Sequence, residues 1–164
     1  MVNCGYLSDL KSNLDIDATD KAILRLVQTD TTLSLDDIAA RVGASKTPVW
    51  NRLKRLRDDG VIEREVAILD PAALGLDTCF FVLVKTSEHD ADWQGRFLAA
   101  VNDRPEVIEA HRLAGEVDYI LKVRVPNAQA YDQLYQGLIS DVKVFNVTAL
   151  LSMEELKRTT ALPL

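Results

Sequence analysis

Residues 34–64, SLDDIAARVGASKTPVWNRLKRLRDDGVIER, constrain this chain more than any other stretch. Leu35, Ile38, Ala39 and Val42 recur at i, i+3, i+4 and i+7, the period of a helix with one buried face. Ser34 stands where its hydroxyl caps that helix, and Asp37 three residues on completes a short capping box. Gly43 ends it, because a sharp turn calls for positive φ. A second helical period begins at once. Ser45 or Thr47 caps it, Pro48 fits in its first turn, and Val49, Leu53 and Leu56 form its buried stripe. At about 100° per residue, Thr47, Asn51 and Lys54 lie roughly opposite that stripe, Trp50 and Arg55 lie on the shoulders, and Arg52 lies on the flank nearer the core. The run 58–60, Asp-Asp-Gly, closes the helix.

A preceding helix is expected over residues 17–29, capped by Asp17, with Ile23, Leu24 and Val27 on one face. Three helices with a tight turn between the second and third make a helix-turn-helix. A run of Lys and Arg on a helix is usually a solvated face. Here the charges are nearly all of one sign until Asp58, and they follow a short glycine turn, which favours a reader of double-stranded DNA. The chain as a whole carries −6, which argues against a generic nucleic-acid coat. The charge is segregated: residues 1–40 sum to −4, residues 41–64 to +4 and residues 65–164 to −6. A local basic island still meets phosphate, because fields at a surface are screened within about 10 Å at ordinary salt.

Cys4 and Cys79 are far apart and match neither a disulfide framework nor a zinc spacing, so a reducing cytoplasm is the expected compartment. No secretory leader is expected in residues 1–14, which contain Asp9 and Lys11, and no apolar run approaches the roughly 20 residues that span a bilayer. Those first residues show no period and read as an extension.

After the three helices, residues 61–69 alternate weakly and are expected to form a strand, and residues 71–76 a hinge. From residue 77 the pattern changes. Strands are expected over 78–86, 107–113, 118–125 and 142–153, and helices over 91–102 and 127–139. The order β-α-β-β-α-β is that of a ferredoxin-like split βαβ fold. In the last strand Phe145, Val147, Ala149, Leu151 and Met153 are expected on one face, and Val144, Thr148 and Leu150 on the other. A sheet apolar on both faces needs covering twice, and its own helices cover only one, so a second copy of the chain is the expected cover.

These marks, taken in order, resemble the Lrp/AsnC, or feast/famine, regulators over residues 15–164. The matching segments are LDIDATDKAIL, DIAARVGASKTPVWNRLKRLRDDGVI, LDPAALGL, LAGEVDYILKV and KRTTALPL. Within the family, TPVWNRLKRLRDDG and KRTTALPL most resemble a branch linked to cysteine and sulfur-amino-acid responses. The resemblance implies an α+β chain: an N-terminal winged-helix-like helix-turn-helix domain (15–62), a strand and hinge linker (63–76) and a ferredoxin-like effector-binding and oligomerisation domain (77–164). It implies a homodimer, with tetramers or octamers built from it, an amino-acid effector and no other cofactor. The family's recognition segment falls on Ser45, Lys46, Thr47, Val49, Trp50, Arg52 and Arg55, to which the helical wheel adds Asn51 and Lys54. Thr47, Trp50, Asn51 and Arg55 are the expected base contacts, and Lys46, Arg52 and Lys54 the expected phosphate contacts. The family's effector turn falls on Leu113, Ala114, Gly115, Glu116 and Asp118, and its partner strand on Thr148, Leu150 and Ser152. Gly115 lets backbone N–H groups approach a carboxylate, and Glu116 or Asp118 pairs with an α-ammonium. From the residues alone, a plain turn glycine and a capping aspartate remain the alternative. The family's Pro-Gly-type turn before the last strand is absent; Ser140-Asp141-Val142-Lys143 stands there, about one residue shorter.

Catalysis has little support. His89 and His111 have no ligand-spaced partner, no nucleophile or phosphate-loop motif is present, and Asp58-Asp59 and Glu154-Glu155 read as solvated helix ends. The expected function is therefore a sequence-specific, amino-acid-responsive transcription regulator associated with the nucleoid. The alternative is an architectural protein that wraps DNA with low sequence specificity.

Overall fold

The computed structural model describes residues 14–88 and 90–164, which form two compact units, Met1–Ala67 with Lys157–Leu164, and Ile68–Leu156. Residues 1–13, including Cys4, and His89 lie outside the described residues.

The first unit holds α1 (Ala18–Val27), α2 (Leu35–Val42) and α3 (Lys46–Asp58). Both of the first two helices start in reciprocal capping boxes. At α1 the Asp17 carboxylate accepts from Asp20 N at 2.8 Å while Asp20 accepts from Asp17 N at 3.2 Å. At α2 Ser34 Oγ accepts from Asp37 N at 3.1 Å and Asp37 accepts from Ser34 N at 3.3 Å. Each cap satisfies helix N–H groups that have no partner inside the helix. Ser45 occupies the N-cap of α3 but makes no side-chain cap bond, and Thr47 lies inside the helix. Ile23, Ile38, Ala39, Val49 and Leu53 form the core, with Leu26, Val27, Leu33, Leu35, Val42, Ala44 and Ile62 against it.

The turn between α2 and α3 depends on Gly43, whose φ is +67°. A Cβ there would meet no atom within 4 Å, so the cost of a side chain is conformational alone. Gly43→Ala is expected to destabilise this unit by about 1–2 kcal/mol, the left-handed penalty for an L-residue, read as a lowered urea midpoint.

Two expectations are corrected in this unit. Residues 61–69 form no strand. A strand needs a ladder partner, and α3 instead turns this segment with bonds from Val61 N and Ile62 N to Leu56 O at 2.9 and 3.0 Å; beyond them Val66 and Ile68 are 65% and 62% exposed. The closing segment Lys157–Leu164, expected in the second domain, groups with the helices. The side chain of Gln28 accepts from Leu162 N at 2.8 Å and donates to Leu162 O at 3.0 Å, and Arg25 Nε donates to Leu164 O at 2.7 Å. Gln28 thus grips the tail as a neighbouring strand would.

The second unit opens with a 3-10 turn, Ala72–Leu74, and continues with β1 (Thr78–Lys85), α4 (Ala91–Asn102), β2 (Val107–Arg112), β3 (Tyr119–Val125), α5 (Ala128–Asp141) and β4 (Asn146–Leu151). The sheet order is β2-β3-β1-β4, and every neighbouring pair is antiparallel. This is the four-stranded arrangement of the split βαβ fold. One sheet face presents Phe80, Val82, Val84, Tyr119, Leu121, Val123 and Val125 to Trp93, Phe97, Ala100 and Val101 of α4 and Leu134 and Leu138 of α5. The other face carries Phe81, Leu83, Ile120 and Leu150, beside ion pairs Lys122–Glu109 at 3.0 Å and Arg124–Glu155 at 3.2 Å.

The last strand is shorter than expected: Val142 still caps α5, the Lys143 carbonyl accepts from Trp93 Nε1 at 2.6 Å, and Phe145 N makes the first bond to β1, to Lys85 O at 2.9 Å. Alternation fails before the strand begins: Val144 packs on the same core as Val147, while Phe145 is 73% exposed. The segment that departs from the family pattern is a helix end. Asp141 is the last residue of α5, held by Arg104 at 2.7 Å, and Val142 is buried.

Candidate nucleic-acid interface and effector turn

On α3 the side chains of Val49, Leu53 and Leu56 are 0%, 3% and 0% exposed. The opposite surface holds Thr47, Asn51 and Lys54, all exposed, flanked by exposed Ser45, Lys46 and Trp50. Lys54 Nζ lies 5.7 Å from the Trp50 ring centroid, one helical turn away. Lys46 reaches Asp36 at 2.8 Å with both side chains largely exposed, an ion pair of little net worth in solvent. Arg57 pairs with Glu65 at 2.7 Å.

Arg52 and Arg55 do not share that open surface. Arg52 Nη1 donates to Asp17 Oδ2 at 2.6 Å and to Asp20 Oδ1 at 2.8 Å, and Arg55 Nη2 donates to Asp20 Oδ2. Asp20 is fully buried. Burial pushes its carboxyl up, but the hydrogen bonds from Arg55 and Arg52 outweigh this and hold it below 3.8. Asp17 is held below 3.8 by the Asp20 N–H and by Arg52. The sign for stability follows. A depressed folded value means the contribution is complete above the unfolded value and is lost as pH falls through the folded one. Urea unfolding is therefore expected to show this unit losing stability below about pH 4, and Asp20→Asn is expected to flatten that loss.

Reading the sequence did not find Asp20. The signal was present: Asp20, Ile23, Leu24 and Val27 follow i, i+3, i+4 and i+7, so one carboxylate sits on an apolar stripe and requires a buried cationic partner.

In the second unit residues 113–118 join β2 to β3. Gly115 has φ +154°, a conformation that L-residues rarely adopt. Leu113 N donates to Asp118 O at 2.8 Å, Asp118 N to Val84 O at 3.1 Å, and Thr86 N to Asp118 Oδ2 at 2.8 Å. Asp118 thus ties the turn to the end of β1. Glu116 is exposed and lies 3.6 Å from Lys85 Nζ. Lys85 is a cation beside the turn that sequence reading missed, although it closes the strand that a split βαβ order sets between β3 and β4. Leu113 and Ala114 are exposed.

Thr148 pairs with Leu83, Leu150 with Phe81, and Ser152 N donates to Cys79 O at 2.9 Å. The turn is anchored at Val84, five strand positions from Cys79, so it stands about 17 Å from Ser152 at the strand rise. Within one chain the structure sets Thr148 nearest the turn and does not bring Leu150 and Ser152 to it.

A three-helix reader with an uncovered polar face on its third helix, and an antiparallel α+β unit with a glycine-acid turn, define a DNA-binding transcription regulator that carries a ligand-binding domain. Family models agree unit by unit: residues 16–63 match a winged helix-turn-helix DNA-binding domain and residues 79–162 the Lrp/AsnC ligand binding domain. The chain belongs to the Lrp/AsnC family of transcriptional regulators, and its class is a regulator, not an enzyme. It is similar to the glutamate uptake regulatory protein of Zymomonas mobilis, 45% identical over 149 residues that cover 91% of each chain. It is similar in structure to an AsnC family transcriptional regulator from Agrobacterium tumefaciens, with TM-score 0.87, 42% identity and 90% and 96% of the two chains covered. A Neisseria meningitidis transcriptional regulator in complex with L-Met aligns with TM-score 0.85, 31% identity and the same coverage. No helix among the described residues is long and apolar enough to cross a membrane.

Proposed function

We propose that this protein is a homo-oligomeric, sequence-specific regulator, associated with the nucleoid in the cytoplasm, whose hold on DNA responds to a sulfur-containing amino acid such as cysteine. The observation that carries the DNA-facing part is the exposed surface of α3 after the Gly43 turn. Thr47, Trp50 and Asn51 read base edges, and Ser45, Lys46 and Lys54 contact phosphate. One island of +4 binds weakly, so affinity comes from two copies held at fixed spacing. The second copy is supported by the apolar Phe81, Leu83, Ile120 and Leu150 on the sheet face away from α4 and α5. It is supported again by the effector residues. Leu113, Ala114, Gly115, Glu116 and Asp118 of one copy need Thr148, Leu150 and Ser152 from another to enclose a small molecule. The sulfur side chain is supported by the KRTTALPL resemblance and by the L-Met complex of the Neisseria protein.

Competition between a palindromic site and bulk DNA tests the reading. Preference for the palindrome is expected, and equal affinity would instead favour the architectural, DNA-wrapping alternative. A thermal-shift screen of the twenty amino acids tests the effector: a true ligand at about 100 times its Kd stabilises by roughly 2.7 kcal/mol. A screen in which cysteine and methionine shift nothing while another amino acid does would replace the sulfur assignment.

A further inference from the structure

We propose that Arg52 and Arg55 are positioning residues that lock α3 onto α1 through the buried carboxylate of Asp20, and that neither guanidinium touches DNA. The inference rests on the reading of α3 as the DNA-facing helix and assigns the two arginines within it.

Three features carry it. Asp20 is fully buried and both its oxygens are occupied, Oδ1 by Arg52 and Oδ2 by Arg55 and by the N–H of Asp17. Each guanidinium also holds a second acceptor near the start of α1, Arg52 the Asp17 carboxylate at 2.6 Å and Arg55 the Asp15 carbonyl at 3.3 Å. To reach a phosphate or a base, either arginine would have to leave a buried carboxylate short of its counter-charge, which is strongly opposed. The third feature is spacing. Arg52 and Arg55 are three apart on α3, and Asp17 and Asp20 are three apart at the start of α1. Neighbouring positions on one helix face thus meet neighbouring positions on another. A rotation of α3, or a slip along α1, breaks both sets of bonds together. The lock therefore fixes the direction in which Thr47, Asn51 and Lys54 point. It also requires a fork: a guanidinium serves two acceptors at once from a planar group, whereas a lysine ammonium does so without that fixed geometry. In charge terms the two arginines are spent on Asp17 and Asp20, so Lys46 and Lys54 carry the phosphate contacts.

The test measures binding of the full chain to a double-stranded fragment selected in vitro for the wild type, over a range of salt. Arg55→Met is expected to weaken binding by roughly tenfold or more with an unchanged salt slope, because α3 is misplaced while no phosphate contact is lost. Adding Asp20→Asn removes the stranded charge and is expected to recover most of that loss. Lys54→Ala serves as the contrast and lowers the slope by about 0.9. Arg55→Lys keeps the charge and loses the fork, so binding weakens with it as well; this variant decides the matter if Arg55→Met does not fold by circular dichroism. The proposal is overturned if Arg55→Met lowers the slope as Lys54→Ala does and Asp20→Asn restores nothing, or if Arg55→Lys binds as the wild type does. A wild type that binds no DNA would instead overturn the reading of α3 itself.

Discussion

Replacing Arg52 and Arg55 together by methionine is expected to destabilise the helical unit by about 3–5 kcal/mol. The cost does not come from losing two surface ion pairs, which are individually weak. It comes from Asp20, which is 0% exposed and would lose both cations while keeping only the Asp17 N–H. The partly exposed arginines, 32% and 42% by side chain, are screened by solvent, and Asp20 can take up a proton, so the lower part of the range is the expected one. Urea unfolding at neutral pH, followed by far-ultraviolet circular dichroism, should show a lower midpoint at unchanged slope. The triple variant that also carries Asp20→Leu should regain much of the loss, because replacing a whole buried charge cluster by apolar groups is often neutral. A double variant with a wild-type midpoint would mean that water, not arginine, satisfies Asp20.

Trp93→Ala is expected to cost the second unit about 4–5 kcal/mol, the upper part of the range for deleting a buried tryptophan. Trp93 is 1% exposed and stacks on Phe97 at a centroid distance of 5.1 Å, with Tyr119 at 5.9 Å. Deleting the ring opens a cavity under β3 and strips the Lys143 carbonyl of its 2.6 Å donor. That carbonyl lies three residues before β4, so its release loosens the strand that carries Thr148 and Leu150. Trp93→Phe keeps most of the packing and loses the donor, and is expected to cost about 1–3 kcal/mol. Thermal unfolding compared with and without an amino-acid ligand separates the two effects. Loss of stability with an intact ligand shift would confine Trp93 to packing, and an unchanged melting temperature would contradict the assigned core.

Much of the fold was legible because its determinants are local. Asp17 and Ser34 cap α1 and α2 as read. Gly43 turns the chain where read. The helix over residues 91–102 has the expected bounds. The stripe Val49, Leu53 and Leu56 was plain, and with it the exposed face of α3. The missing pieces are those whose partners lie far away in sequence. Residues 61–69 alternate like a strand, yet they form none, because Leu56 O takes the N–H groups of Val61 and Ile62. Phe145 fits the alternation of β4, yet it stands one residue before the strand with its N–H on Lys85 O and its side chain exposed. The tail Lys157–Leu164 has no period at all, and its place depends on distant groups such as Gln28 and Arg25.

The candidate site divides in the same way. Its exposed half, Ser45, Lys46, Thr47, Trp50, Asn51 and Lys54, follows from helical geometry. Arg52 and Arg55 sit on the same helix and carry the same charge; the helical wheel sets them nearer the core than Lys54, but no local rule names the carboxylate they meet. By itself, then, the sequence determined the order of elements, the two-unit plan, the caps and turns, and which face of α3 is apolar. All of these come from the chain's fixed helical and strand periods and from φ restrictions at single residues. Only the tertiary structure decided that Arg52 and Arg55 turn inward to Asp20, that Asp118 is bonded to Thr86, and that Thr148 stands near the Gly115 turn while Ser152 stands far from it. Each of those depends on which distant group meets a charge or closes a ladder, and the low polarity around a buried carboxylate makes that choice decisive.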